Sequence, residues 1–167
     1  MPATYEPIAT VSTSASSYTF SSISGAYTDL ILVGSARSDK TSANSDTITF
    51  RVNGDTGTNY SNTNLTGNGS SASSNRRSTD AQWFFGEIAS DGDTGGIFSP
   101  FIVQFQNYAN TTTYKTVLAR INNTTIHVRA SVGLWRSTSA INSITIYPAG
   151  GNFVSGSTLT IYGIKAA

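Results

Sequence analysis

Short runs of β-branched and aromatic residues, separated by clusters of Gly, Asn, Asp and Ser, most constrain what this sequence can fold into. No stretch of ten or more residues places apolar side chains at the helical spacings of 3, 4 and 7. Instead, several segments alternate apolar and polar residues, which is typical of a strand with one buried face. In residues 97–107, for example, Phe101, Val103 and Phe105 point to one side. The sequence therefore predicts an all-β fold.

About ten strands are predicted in the 167 residues. They are residues 8–11, 18–23, 29–36, 47–52, 82–88, 97–107, 115–121, 125–134, 143–147 and 158–164. Long alternating strands joined by turns are typical of an antiparallel two-sheet β-sandwich, and we expect one that is jelly-roll-like. The length suits one domain. We predict an N-terminal arm over residues 1–17 and a single β-sandwich domain over residues 18–167.

The composition excludes several kinds of protein. Ser, Thr and Asn supply 62 of the 167 residues, charged residues only 11%, and the net charge is +1. The absence of Cys and the single His argue against disulfide scaffolds and multi-His or thiolate metal sites, and the near-zero charge argues against nucleic-acid binding. Residues 1–20 do not look like a secretory signal, and the longest aliphatic run, residues 30–33, is far too short to span a membrane. We expect hydroxyl side chains to cover the outer faces of the sheets.

Residues 53–80 interrupt the strand pattern. Asn53-Gly54 followed by Asp55 is typical of a tight turn with positive φ, and residues 66–78 are rich in Gly, Ser and Asn. Loops longer than about 12–15 residues are uncommon unless they are functional or mobile. The sequence therefore predicts a long loop, either a solvated surface loop or a contact loop ordered by a partner.

Three polar features were candidates for chemistry. His127 alternates with Ile126 and Val128, so we expect it on the polar face of its strand with Arg129 and Ser131, without an acid–base role. Asp91 and Asp93 are spaced like calcium ligands but lack the distal Glu, so this segment is either a plain turn or a weak cation site. Glu87 is the one acid that the pattern half-buries, and no second carboxylate pairs with it as glycoside hydrolysis requires.

Aromatic and Arg residues leave two further questions open. Trp83 and Trp135 are expected in the core, the alternative being a platform on which sugar rings stack. Arg outnumbers Lys seven to three, which mildly favours a protein partner, although Arg76 and Arg77 are equally well explained as a solvated pair.

Five segments carry a resemblance to a known family. They are Tyr27-Thr28-Asp29-Leu30, residues 50–61 (FRVNGDTGTNYS), 133–146 (GLWRSTSAINSITI), 150–153 (GGNF) and 156–164 (GSTLTIYGI). In this order they resemble a family of small tailed-bacteriophage virion proteins and tail-fibre modules, over residues 18–165. The departures are small: Val52 lies between Phe50 and Asn53, and Ile161 precedes Tyr162 where Leu is common.

The motifs also have physical roles that can be tested in a structure. We expect a tight turn at Asn53-Gly54-Asp55 and a Trp135 side chain that plugs one end of the sandwich. Gly163 would let the last strand pass close to another backbone, and Ile164 would seal the core.

The resemblance implies a shared scaffold and no enzyme site, catalytic residue, cofactor or metal. On that analogy we expect a bacteriophage virion structural protein, specifically a capsid decoration (cement) protein on the capsid surface rather than the tail. Its partners would be the major capsid protein or other virion proteins, with a homo-oligomer, a trimer above all, and with contacts through residues 1–17 and 53–80. Nucleic acid and membrane are not expected partners. The alternative is a tail- or head-fibre module that recognises host surface glycan.

Overall fold

A computed structural model describes residues 4–165 of the chain. These residues form twelve strands and no helix. The strands are β1 (Tyr5–Thr13), β2 (Tyr18–Phe20), β3 (Asp29–Ala36), β4 (Ser45–Val52), β5 (Tyr60–Gly67), β6 (Ala72–Asp80), β7 (Trp83–Ala89), β8 (Ser99–Gln106), β9 (Lys115–Asn123), β10 (His127–Trp135), β11 (Ile144–Pro148) and β12 (Ser157–Ile164).

The strands make two sheets. The large sheet has eight strands in the order β1-β12-β3-β8-β9-β10-β5-β6, and the small sheet has four in the order β2-β11-β4-β7. All strand pairings within the two sheets are antiparallel. The predicted all-β, antiparallel, jelly-roll-like sandwich is therefore confirmed.

Aromatic rings fill the space between the sheets. Trp83 of β7 lies at the centre, with its ring centroid 5.0 Å from Tyr60 and 5.4 Å from Phe85. Phe50 of the small sheet meets Phe101 of the large one edge to face at 6.0 Å. All five side chains are at most 3% exposed, so this contact supplies much of the apolar surface that folding removes from water.

Two glycines allow the sheets to approach at this point. A Cβ atom on Gly133 of β10 would lie 2.6 Å from Cζ of Phe85, and one on Gly86 of β7 would lie 2.7 Å from Cβ of Ile121. Neither distance is compatible with van der Waals contact. Glycine is therefore required at both positions for the aromatic side of β7 to rest directly on β9 and β10.

The last strand, β12, differs in detail from the prediction. Gly163 does permit a close approach, but the group that a Cβ would strike is the ring of Tyr27 rather than a backbone. Ile164 does not seal the core: it is half-buried and pairs with Asp29. Ile161, three residues earlier, is fully buried, because alternation along β12 places residues 159, 161 and 163 inward.

The predicted 53–80 loop is wrong beyond its first turn. Asn53 and Gly54 have φ of 52° and 64°, and the amide of Asp55 donates to the carbonyl of Val52 at 2.9 Å, so the tight turn is confirmed. The rest is an antiparallel hairpin of β5 and β6, in register from Tyr60↔Asp80 to Gly67↔Ala72 with one irregularity. The sequence of this hairpin lacks the alternation of apolar and polar residues that predicts a strand, because the inward positions of β5 are largely Asn and Thr rather than Val or Ile.

The described part of the predicted N-terminal arm is also part of the sandwich. Residues 5–13 form β1, which pairs with β12 at the edge of the large sheet. Ile8, Ala9 and Val11 pack against the core, and this apolar contact explains why the segment is a strand rather than a free arm. Residues 1–3 of the predicted arm lie outside the described residues.

The two faces of β10 are the reverse of the expectation. The predicted alternation is present, but His127 and Ser131 are buried whereas Val128 and Val132 are 62% and 47% exposed. The inward side of β10 faces the backbone of β7, whose carbonyls need donors, and Ser131 Oγ donates to the carbonyl of Phe85 at 2.8 Å. Polar residues are therefore required on the inner side of this strand.

Replacing Gly133 with Ala tests the close approach of the sheets. The added methyl group must displace Phe85 or Trp83, and overpacking of this kind costs about 1–3 kcal/mol. We expect Gly133→Ala to lower the free energy of unfolding in urea by that amount. Gly95→Ala is the matched control, since a Cβ on Gly95 meets no atom within 4 Å; equal stability of the two variants would contradict the prediction.

Candidate functional site

The outer face of the large sheet carries an exposed group of large aliphatic side chains. We call it the aliphatic band, and it consists of Val33, Leu65, Ile102, Leu118, Val128 and Val132, each 38–62% exposed. Single exposed apolar residues are ordinary on protein surfaces, whereas a contiguous group marks an interaction site.

Strand register makes the band contiguous. Val33 of β3 lies opposite Ile102 of β8, Ile102 opposite Arg120 of β9, Arg120 opposite Ala130 of β10, and Ala130 opposite Leu65 of β5. Side chains at paired positions lie on the same face about 4.5–5.5 Å apart. One row of neighbours therefore crosses five strands.

The neighbouring rows widen the band. Leu118 pairs with Val132 one step along β9 and β10, and Val128 pairs with Asn122 one step the other way. Because side chains two residues apart on a strand share a face, these residues surround Arg120 and Ala130. The outcome corrects the expectation of a hydroxyl-covered outer face: hydroxyl groups do cover β1 and β12, through residues such as Thr10 and Thr160, but the middle of the sheet is aliphatic.

Arg120 is the one charged side chain inside the band. It is exposed, and within residues 4–165 it makes no hydrogen bond or ion pair. Two shallow depressions of about 570 and 370 Å³ lie on either side and share Arg120 and Ala130 in their walls. The first also contains Leu65 and Val128, and the second Ile102 and Leu118.

Carboxylates are scarce on this face. In the strands of the large sheet, Asp29 at the start of β3 is the only acid that the register places on the outer side, and its Oδ1 already accepts the amide of Asn107 at 2.7 Å. Arg76 of β6 is exposed on the same side, opposite Thr63. The outer face is therefore apolar at its centre and weakly positive.

His127 lies inside the sandwich, away from the outer face. Its side chain is 8% exposed and its Nε2 has no hydrogen-bond partner. Burial and the nearby Arg129 lower the pKa of the imidazole below its ordinary value, against a smaller opposite effect of Glu87. The imidazole is thus buried near a guanidinium, and in the described residues no hydroxyl side chain is hydrogen-bonded to it.

Glu87, the half-buried acid of the sequence, serves a structural network. Its Oε2 accepts the hydroxyl of Ser45 at 2.9 Å, and its Oε1 lies 3.9 Å from the guanidinium of Arg129. Arg129 in turn donates to Thr66 Oγ1 at 3.0 Å. The network ties β4 and β7 to β10 and β5, and no second carboxylate takes part in it.

The segment that begins at Asp91 and Asp93 contacts a positively charged side chain, that of Arg37. The guanidinium of Arg37, only 7% exposed, donates to the carbonyls of Asp93, Thr94 and Ile97 at 2.9–3.1 Å. Asp93 Oδ2 accepts the hydroxyl of Thr125 at 2.7 Å. Both carboxylate oxygens of Asp93 and three carbonyls of the segment are thus engaged within the protein, which favours the plain-turn interpretation.

Both Trp side chains are in the core, as expected, so neither forms a sugar platform. Trp83 is fully buried and donates Nε1–H to the carbonyl of Leu134 at 3.2 Å. Trp135 is 2% exposed and donates to Asp55 Oδ2 at 2.6 Å. Burial opposes ionisation of Asp55, but the hydrogen bonds from Trp135, Asn59 and Gly57 outweigh it and hold the pKa of this carboxyl below its usual value.

The two Arg residues of β6 differ. Arg77 is paired with Asp80, Nε to Oδ2 at 2.8 Å, and its guanidinium stacks 4.1 Å from the centre of the Phe84 ring. Arg76 lies on the opposite side of the strand without a partner in the described residues. The prediction of a solvated pair therefore holds for Arg76 alone.

An exposed aliphatic band around one guanidinium is suited to binding another surface. Residues 4–165 contain no group of three or more His, Cys, Asp or Glu side chains that could hold a metal ion. Nor does this part of the chain contain a helix that could span a membrane.

The sequence did not predict the aliphatic band, because strand alternation alone does not say which face of a sheet is covered. One signal could have indicated it: β9 and β10 carry apolar or small side chains on both faces, as in Leu118, Ala119 and Val132.

No protein-family model matches the sequence, and no curated protein matches it.

Replacing Arg37 tests whether the guanidinium holds the Asp91–Ile97 segment. Arg37→Lys keeps the charge but cannot bond three separate carbonyls in one plane, and buried acceptors left without donors cost about 1–3 kcal/mol. We expect a loss of that size in urea unfolding. Arg76→Lys is the control, because Arg76 is exposed and unpaired in the described residues; equal losses would show that the three bonds contribute nothing.

The buried imidazole of His127 predicts a specific pH dependence. Because the folded protein binds this proton more weakly than the unfolded chain, the free energy of unfolding should fall as the pH drops through the ordinary value of 6.5. His127→Gln removes the group, so the loss of stability between about pH 8 and pH 5 should be smaller in the variant. Urea titrations at both pH values measure the difference, and parallel losses in the two proteins would refute it.

Proposed function

We propose that this protein is a non-enzymatic structural protein of a bacteriophage virion, specifically a capsid decoration protein that binds the assembled shell. The observation that carries the proposal is the aliphatic band, an exposed apolar surface on a rigid sheet. A ligand that binds only the assembled state stabilises that state by mass action. The resemblance of residues 18–165 to small virion proteins supplies the biological setting by analogy.

The interior supports a scaffold role. The candidates for chemistry, His127, Glu87 and Asp93, are engaged in packing or in internal hydrogen bonds. Lys115, 1% exposed, donates to the carbonyls of Thr113 and Thr138 at 2.8 and 3.1 Å. Burial lowers the pKa of this ammonium group, and its bonds join two loops at one end of the sandwich. These groups stabilise the fold and leave the outer face for binding.

The contact surface in this proposal differs from the one first expected. Residues 5–13 and 60–80 are strands of the large sheet, so they offer its two edges, β1 and β6, rather than an arm and a loop. The aliphatic band lies between them. Location on the capsid surface, contact with the major capsid protein and a homotrimeric state all remain parts of the proposal.

The alternative, a fibre module that recognises host glycan, predicted exposed Trp or Tyr beside Asn and Asp in a shallow groove. Trp83 and Trp135 are buried, and the exposed rings are Tyr5 and Tyr114, 55% and 54% exposed. Neither belongs to the depressions on the outer face. The geometry therefore favours a protein partner.

Binding to shells tests the proposal. Purified protein should co-sediment with undecorated shells assembled from the major capsid protein of the same genome, and should saturate at a fixed copy number per shell. Decorated shells should also withstand a higher temperature before they disassemble. Binding only to host cells or to polysaccharide, with none to shells, would overturn the proposal.

A further inference from the structure

We infer that the aliphatic band receives a protein surface of aliphatic side chains that presents a carboxylate to Arg120. The inference rests on the proposed function and names the chemistry of the partner at the same site. It follows from the surroundings of Arg120, the charges on the outer face and the size of the band.

The surroundings of Arg120 require an acceptor from the partner. Its neighbours across the sheet are Ile102 and Ala130, and its neighbour along β9 on one side is Leu118. Any partner that covers these side chains also removes the guanidinium from water. A buried charge without a partner is strongly unfavourable, and a carboxylate matches the planar fork of Arg with two parallel hydrogen bonds.

A second copy of the chain is a poor source of that carboxylate through the same face. A two-fold contact is self-complementary, so one centred on Arg120 would bring the two Arg120 side chains together, and an offset one would need a carboxylate of this same face opposite Arg120. Among the described strands of the large sheet, Asp29 is the one carboxylate on the outer side; it lies at the start of β3, four residues from Val33 of the band, and its Oδ1 accepts the amide of Asn107. Charge complementarity therefore points to a different protein.

The size of the band suits such a partner. Five strands, β3 to β5 in sheet order, span about 24 Å at about 4.8 Å per strand, and eight residues along a strand span about 26 Å. The resulting area of about 600 Å² grows to about 870 Å² when strands β12 and β6 are included, and both values lie within the range of about 600–1,000 Å² per partner of a standard interface. Thr160 on one side and Ser74 on the other provide the polar rim that such interfaces have.

The experiment measures the binding of variants to the undecorated shells named above. Arg120→Gln and Arg120→Glu should weaken shell binding, the first on the order of 30-fold or more and the second to undetectable levels. Arg120→Lys keeps the charge without the fork and should fall between wild type and Arg120→Gln. Leu118→Ser with Val132→Ser should also weaken binding. Arg77→Gln is the matched control, because it removes the same charge from the opposite side of the sheet and should bind as wild type does.

The outcomes separate the two proposals. If wild type binds shells and the Arg120 variants bind equally well at an unchanged melting temperature, this inference is wrong while the proposed function stands. If wild type does not bind shells, the proposed function fails and the inference fails with it. A homo-oligomer that Leu118→Ser with Val132→Ser dissociates in sedimentation would assign the band to a second copy, and glycan binding that Arg120→Glu abolishes would assign it to sugar. Either result overturns the inference.

Discussion

The contact of β7 with the inner side of β9, β10 and β5 is the constraint on which the rest of the structure depends. β7 is the edge strand of the small sheet, and it carries Trp83 and Phe85 into the large sheet at a point where Gly133 leaves room for them. Because the rings occupy the space of a missing side chain, the sheets are held in one relative position. The aromatic cluster on one side of this contact and the polar network of Glu87 and Arg129 on the other are both built around it.

The same contact explains why so polar a sequence has a well-defined interior. The free edge of β7 presents backbone groups that water would otherwise satisfy, and buried polar groups must find partners. Asn62 and Asn64 both donate side-chain N–H groups to the carbonyl of Phe84, at 3.1 and 3.3 Å, and Ser131 donates to Phe85. Asn and Ser thus act as structural residues inside the sandwich. The high Ser, Thr and Asn content therefore reflects hydrogen bonds between the two sheets as well as the polar surface.

The fold class and most strands could be predicted because they depend on local alternation, which residues such as Phe101, Val103 and Phe105 show clearly. The β5–β6 hairpin could not, since Asn62 and Asn64 are buried for a hydrogen-bonding reason that no hydrophobic pattern contains. The inner side of β10 was assigned wrongly for the same reason: Ser131 faces a strand edge that exists only in the folded protein. The aliphatic band likewise depends on which face the small sheet covers, a property of the tertiary structure.

Arg120 also bears on whether two copies of this sheet can pair face to face through the band. An exposed apolar sheet without Lys or Glu would favour stacking against an identical sheet. Arg120 lies at the centre of the band, where a face-to-face pairing of two copies centred on this residue would bury the two guanidinium groups against each other, at a large electrostatic cost. In the proposed complex, a partner that brings a carboxylate removes that cost, so Arg120 would both disfavour pairing of two copies centred on it and select the partner. On this proposal, specificity depends on a single charge in an aliphatic setting, and the low charge elsewhere on the face leaves that one charge without neighbouring ion pairs.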